Sequence, residues 1–262
     1  MKWRMFICAI CFLIGGCSLN IPLEDQFSDP DAITDVLSAR SLLASAYKAM
    51  PQQIFQLSVL SDDFCPSQHL NKDMSLQGLY NWREVEMTEL AGTLWAGYYA
   101  VIAEVNALLA RIDAVVTLAE TEKLEKMRIV CEAKALKSWC YFDLLRLFAP
   151  RYEGNENKDG IILKKRVELD FLPRSSVKEC VTEIRTLLNE ARNVDNTQKN
   201  VYWLSDKAVA YLQVELELYA GNYPAVLELT KDLETEYPES VLGADVYKYL
   251  WSSENSDARI FG

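Results

Sequence analysis

A single histidine, His69, is available to this chain of 262 residues. Catalysis by an imidazole pair and a His-rich metal centre are therefore excluded. The adjacent carboxylates Asp62 and Asp63 come nearest to an acid–base pair. Neighbouring side chains in an extended loop diverge, however, so they do not form a glycosidase dyad. No Gly-rich phosphate loop, no G-x-S-x-G and no metal-ligand spacing occurs. A binding protein remains, with no cofactor, no metal and no catalytic residue expected. The segment that draws attention is 62–88, which holds Pro66 and Gly78, has no sustained period and reads as irregular. It contains Asp63, His69, Asn71, Tyr80 and Trp82, and irregular segments of this length are where function concentrates in compact domains.

The elements around that segment set its frame. Half of the residues are hydrophobic and 25% are charged, an ordinary globular composition. Lys+Arg of 27 against Asp+Glu of 38 gives a net charge of -11, a field that repels phosphate backbones and argues against a nucleic-acid partner. Residues 1–16 read as an export signal: Lys2 and Arg4 precede the apolar stretch Phe6 to Ile14, too short for a spanning helix, which needs about 20 residues. Gly15-Gly16-Cys17 resembles a bacterial lipobox, which marks Cys17 for lipidation and tethers the chain to a membrane through residues 17–28. Loss of the two signal basics leaves 25 against 38, a net charge of -13.

Four cysteines remain beyond the anchor. Nine residues of helix set Cys131 and Cys140 about 13.5 Å apart along the axis and on opposite faces, beyond disulfide reach. With no CxxC spacing, Cys65, Cys131, Cys140 and Cys180 read as small buried hydrophobes.

Helical periodicity runs through the rest. Asp29-Pro30-Asp31 carries the chemistry of a helix start, with Pro51 as the stop. Trp95, Tyr98, Ile102, Val105 and Leu109 define a long helix; Leu124 to Phe148 define another, ended by Pro150, and the short link between them implies an antiparallel pair. Ser176 with Glu179 is a capping box. Ser205 opens a helix ending at Gly221, and Asn222 opens one ending before Pro238. Leu212, Leu216, Tyr219 to Tyr223, Ala225, Leu229 and Pro238 follow the pattern of one tetratricopeptide hairpin. The expectation is an all-α, tetratricopeptide-like superhelix of helical hairpins. Trp95, Tyr98 and Tyr99 belong to its core, Asn106 bonds a backbone or neighbouring group, Glu132 satisfies a partner across the hairpin, and Lys164-Lys165-Arg166 is a solvated loop.

These stretches resemble a known family. Trp95-x-x-Tyr98-Tyr99-x-x-Ile102-x-x-x-Asn106-x-Leu108-Leu109, the run Glu132 to Leu144, Arg174-Ser175-Ser176 with Glu179, Asp206 to Leu212, and Ser253 to Phe261 are similar, in order, to segments of SusD/RagB-like lipoproteins. The resemblance implies a surface-exposed outer-membrane lipoprotein that binds glycans, or sometimes peptides, and sits on a SusC-like TonB-dependent transporter. It further implies that residues 29–262 form the helical N-terminal domain and lack the family's C-terminal half. It places ligand aromatics in the 62–88 loop, which nominates Tyr80 and Trp82 for stacking on a sugar face and Asn71, His69 and Asp63 for bonding hydroxyls. Three alternatives stay open: rings tucked into the core, polar side chains that are merely solvated in the loop, and a helical-repeat lipoprotein that makes protein contacts without holding ligand.

Overall fold

A computed structural model describes residues 33–67, 74–168, 170–192 and 202–236. All of them belong to one compact unit. Asp29–Asp31, the tether, Cys17 and Ser253–Phe261 lie outside the described residues.

Among the described residues the regular structure is helical: α1 Val36–Lys48, α2 Ile54–Leu60, α3 Met74–Tyr80, α4 Glu84–Arg111, α5 Glu120–Phe148, α6 Val177–Ala191, α7 Asp206–Tyr219 and α8 Tyr223–Glu236. Local chemistry places most boundaries. Ser176 accepts from the Glu179 backbone N–H at 3.2 Å while the Glu179 carboxylate accepts from the Ser176 N–H at 2.7 Å. Ser205 accepts from the Ala208 N–H at 3.3 Å. The first described helix begins later than expected, since its cap is Asp35. That carboxylate accepts from the Ser38 N–H at 2.7 Å and the Ser38 hydroxyl accepts from the Asp35 N–H at 3.1 Å, a reciprocal box that leaves Ile33 and Thr34 outside the helix.

The helices pack largely in chain order, α4 on α5, α5 on α6, α6 on α7 and α7 on α8; α1 is the exception, packing on both α4 and α5. Helix α4 with its trailing 3-10 turn, Glu84–Ala114, is long and apolar enough to cross a membrane by length and composition. Its Tyr98, Val101, Ile102, Val105 and Leu108 are buried, so within this unit its apolarity serves as that of a core helix.

The motif residues of α4 and α5 hold the loop between α5 and α6. The Tyr99 hydroxyl donates to the Ile162 carbonyl at 2.8 Å and accepts from its N–H at 2.9 Å. The Asn106 amide and the Tyr141 hydroxyl both donate to the Lys164 carbonyl, at 2.9 and 2.6 Å. Arg174 donates to the Gly160 carbonyl at 2.8 Å and lies over the Trp95 ring. Tyr98 is buried, while Trp95 and Tyr99 are partly buried against the core. The basic run is exposed at Lys165 and Arg166, and its charges are paired: Lys164 with Asp170, Lys165 with Glu183 and Arg166 with Glu168.

Buried Lys137 completes this clamp, donating to the Asn106 side-chain carbonyl at 2.6 Å. Burial pushes its ammonium from 10.5 down to about 8, with Glu183 pulling upward and Lys165 pushing further down. A lysine whose folded value lies below its unfolded one disfavours its charge in the fold. Between pH 8 and 10.5 the unfolded chain therefore binds more protons, and stability rises with pH. The stability difference between the wild type and Lys137→Met, measured by urea unfolding from pH 7.5 to 10, is expected to move in favour of the wild type as pH rises. A difference that stays flat across that range refutes the assignment.

Candidate functional site

The segment 62–88 is more ordered than its composition suggests. Only 61–67 and 81–83 are non-helical among its described residues and immediate neighbours; α3 lies between, and α4 begins eleven residues before Trp95, at Glu84. The physical reason is a small second core. Leu76 and Leu79 of α3 pack with Val59 of α2, and Tyr80, Met87 and Leu90 border them. Gly78 of α3 lies against the Glu86 carboxyl, the end of a flexible side chain in the first turn of α4.

Each short helix ends on a residue with positive φ. Asp62, at φ 66, follows α2, and Trp82, at φ 53, follows α3. The Trp82 turn has a defined pattern: the Trp82 N–H donates to the Leu79 carbonyl at 3.0 Å and the Arg83 N–H to the Gly78 carbonyl at 2.9 Å. That is the paired bonding of a Schellman motif with Trp82 at its left-handed position. The end of α7 repeats the same pattern with glycine, Gly221 at φ 71 donating to Leu218 and Asn222 donating to Glu217. At equivalent positions the chain carries glycine once and its bulkiest residue type once. The indole at Trp82 is 61% exposed, so no core contact compensates for the backbone strain.

The α2–α3 unit carries further exposed aromatics. Phe55 and Phe64 are 47% and 56% exposed, with ring centroids 5.9 Å apart. Tyr80 is half-buried; its hydroxyl is hydrogen-bonded to the Cys65 thiol, and that thiol and the Asp62 carboxylate push its ionisation upward. Asp63 is exposed and accepts from the Ser61 hydroxyl at 2.8 Å. Thus Tyr80, Trp82 and Asp63 share one helix pair, whereas His69 and Asn71 lie outside the described residues.

Two expectations need correction. Cys65 is exposed, unlike the buried Cys131, Cys140 and Cys180, because it falls in the turn after α2 rather than on a helix face. Glu132 finds its partner on α1, not across the α4–α5 pair: Arg40 donates to it at 2.5 Å and to Glu125 at 2.6 Å.

Phe55 was not legible as a surface aromatic. The run Ile54 to Leu60 looks like buried helix, yet only Val59 of α2 is buried. Its available signal is arithmetic: five apolar residues in a seven-residue helix exceed what one face covers.

An all-helical scaffold presenting exposed rings beside short polar side chains defines a binding module. Comparison with known proteins agrees: residues 23–215 match the SusD-like family model described as starch-binding and associating with the outer membrane. The chain belongs to the SusD-like family, whose members are binding proteins rather than enzymes. Similar solved structures include a SusD superfamily protein from Bacteroides vulgatus at TM-score 0.67 and 19% identity, covering 86% of this chain and 53% of that one. Another from Bacteroides fragilis gives TM-score 0.64 and 21% identity, covering 85% and 55%. A laminarin-binding SusD-like protein gives TM-score 0.63 and 19% identity, covering 85% and 49%. At these identities the likeness establishes the helical, tetratricopeptide-like fold. The chain spans about half the length of the solved structures it matches. No curated protein matches it.

Proposed function

We propose that this chain captures oligosaccharides on the outer membrane, to which Cys17 tethers it by lipid, and acts with a SusC-like TonB-dependent transporter in their uptake. The reading rests above all on Trp82, an exposed indole held at a left-handed position where glycine would be easier. Strain retained at an exposed ring points to a use for the ring. Trp82 offers the stacking face. Tyr80 adds a second ring, and Asp63, with His69 and Asn71, supplies hydroxyl-bonding groups. The matched family is starch-binding and one matched structure is a laminarin binder, which sets the first ligands to try.

Calorimetric titration of the full chain, extracted in a non-glycosidic detergent, against starch oligosaccharides, laminarin and a wider glycan panel is expected to find a binder. Trp82→Ala is expected to weaken that binding about tenfold, roughly 1.4 kcal/mol. Binding by no glycan, or equal binding by the variant, sinks the proposal. Pull-down from outer membranes is expected to recover a TonB-dependent receptor, and its consistent absence removes the transporter from the reading. The anchor is tested separately: Cys17→Ala is expected to leave the membrane fraction, and unchanged fractionation refutes lipidation at that residue.

A further inference from the structure

Trp82 lies just before one end of α4, and a separate exposed apolar surface lies at the other end. Val116 and Leu118, in the link from α4 to α5, are 75% and 94% exposed, although Val115 beside them is buried. Leu124 and Met127, on the first two turns of α5, are also exposed. Leu37 of α1 joins them, one turn before Arg40, which bonds Glu125 at the start of α5. A clustered apolar surface marks a contact, where single exposed residues do not. All five side chains are aliphatic or a thioether, which offer a sugar no stacking face.

The link suits an apolar surrounding. The Leu118 and Ala119 N–H groups donate to the Glu122 carboxylate at 2.9 and 3.3 Å. Lys126 donates to the Asp113 and Val115 carbonyls at 3.1 and 2.8 Å, and the Val115 N–H donates to the Ile112 carbonyl at 3.1 Å. Backbone groups bonded from within lose little when water leaves, whereas open ones resist it. The outward side chains of Val116 and Leu118 are left to gain from burial. Charge does not select the partner, since Asp113, Glu120 and Glu122 are matched around the link by Arg111, Lys123 and Lys126.

The path of the chain names what covers this surface. Arg40 meets Glu125 while Met50 meets Cys140, so α1 runs parallel to α5 and both begin beside the α4–α5 link. The described chain enters at Ile33, just ahead of α1, and hence at this same end. From Cys17 to Ile33 the chain reaches at most about 55 Å when fully extended. We infer that Val116 and Leu118 rest in the headgroup–acyl boundary of the membrane that holds the anchor, with Leu37, Leu124 and Met127 at its surface. The inference rests on the lipid reading of Cys17, because a few aliphatic side chains hold a bilayer weakly alone and count when an anchor keeps them near it. It also sets an orientation. Helix α4 has 28 residues, about 42 Å, so seating this end in the bilayer directs Trp82, at the other end, outward.

The test uses the full lipidated chain in phosphatidylcholine vesicles whose acyl chains carry bromine near the headgroup, which dims a fluorophore only on contact. Cys65→Ser removes the exposed thiol, and a bimane label is attached at Ala119→Cys, beside Leu118, or at Glu89→Cys, near the start of α4. Flotation of the wild type with the vesicles comes first; failure to float refutes the anchor and this inference with it. With the chain afloat, bromine is expected to dim the label at 119 and spare the label at 89. Val116→Ser/Leu118→Ser is expected to restore the brightness at 119 while the chain still floats. Both positions are exposed, so this variant is expected to melt like the wild type, and the comparison of 119 with 89 stands without it. A label at 119 that stays bright, because the chain's own tether or a second copy covers the link, overturns the inference and leaves the anchor standing. Equal dimming at both labels overturns it as well, as does dimming at 119 that survives the two serines.

Discussion

Arg40→Met is expected to remove about 3–5 kcal/mol of folding stability, the largest loss we foresee for a single side chain. Glu132 is 4% exposed at the side chain and Arg40 20%, so removing the guanidinium strands a carboxylate in the core. Arg40 also bonds Glu125 and lies 4.9 Å from the centre of the Trp203 ring, adding packing to the loss. Burial already pushes the Glu132 carboxyl up against the pull of Arg40. With that pull gone, the folded value rises further above the ordinary 4.5, and the variant regains stability as pH falls through the folded value toward 4.5. The double variant Arg40→Met/Glu132→Leu removes both charges and is expected to recover most of the loss, because two apolar side chains replace a buried ion pair at little cost. Urea unfolding at neutral and mildly acidic pH reads all three effects. A single variant within 1 kcal/mol of wild type, on the order of an exposed pair, or a double variant no better than the single, overturns this account.

Trp82→Gly is expected to do two opposite things. Relieving the left-handed strain stabilises the fold by about 1 kcal/mol, while loss of the indole weakens glycan binding about tenfold, as in the alanine variant. Gly221 supplies the internal comparison, since it holds the same turn with open space around it. Alanine at 82 removes the ring yet keeps a Cβ at positive φ, so it is expected to weaken binding without raising the melting temperature. A glycine variant that melts below wild type means the indole packs where it looks exposed. One that melts higher and binds equally well means the strain has no connection with ligand.

The parts of the fold that could be read from sequence are those settled by chemistry within one helical turn. Ser176 with Glu179, Ser205, Pro150 and Gly221 each act on backbone groups three or four residues away, and the elements they bound lie where expected. The start of α1 was harder because Asp29-Pro30-Asp31 and the Asp35–Ser38 box carry the same kind of signal, and only the second has its reciprocal partner in the described structure. The 62–88 segment was misread for two reasons. Helix α3 is seven residues long, too short for a period to show, and its stop is a tryptophan where glycine is the usual mark. Tyr80, Trp82 and Asp63 were nominated by their type and company; Tyr80 and Trp82 lie at the end of α3 and Asp63 in the turn after α2, two helices that pack together. Phe55 was hidden inside a run that reads as core, and Phe64 lies in the turn that follows it.

The packing order has a kinetic consequence. Neighbour-on-neighbour contacts close short loops and form early, but α1 reaches partners 85 and 92 residues downstream through Arg40. The first described helix to leave the ribosome is thus expected to be among the last to dock, waiting for α4 and α5 to present a finished surface. Interactions made after the rate-limiting barrier slow unfolding and leave refolding almost untouched. The grip of Arg40 on Glu132 would therefore act as a latch, setting how long the folded molecule lasts rather than how quickly it is made.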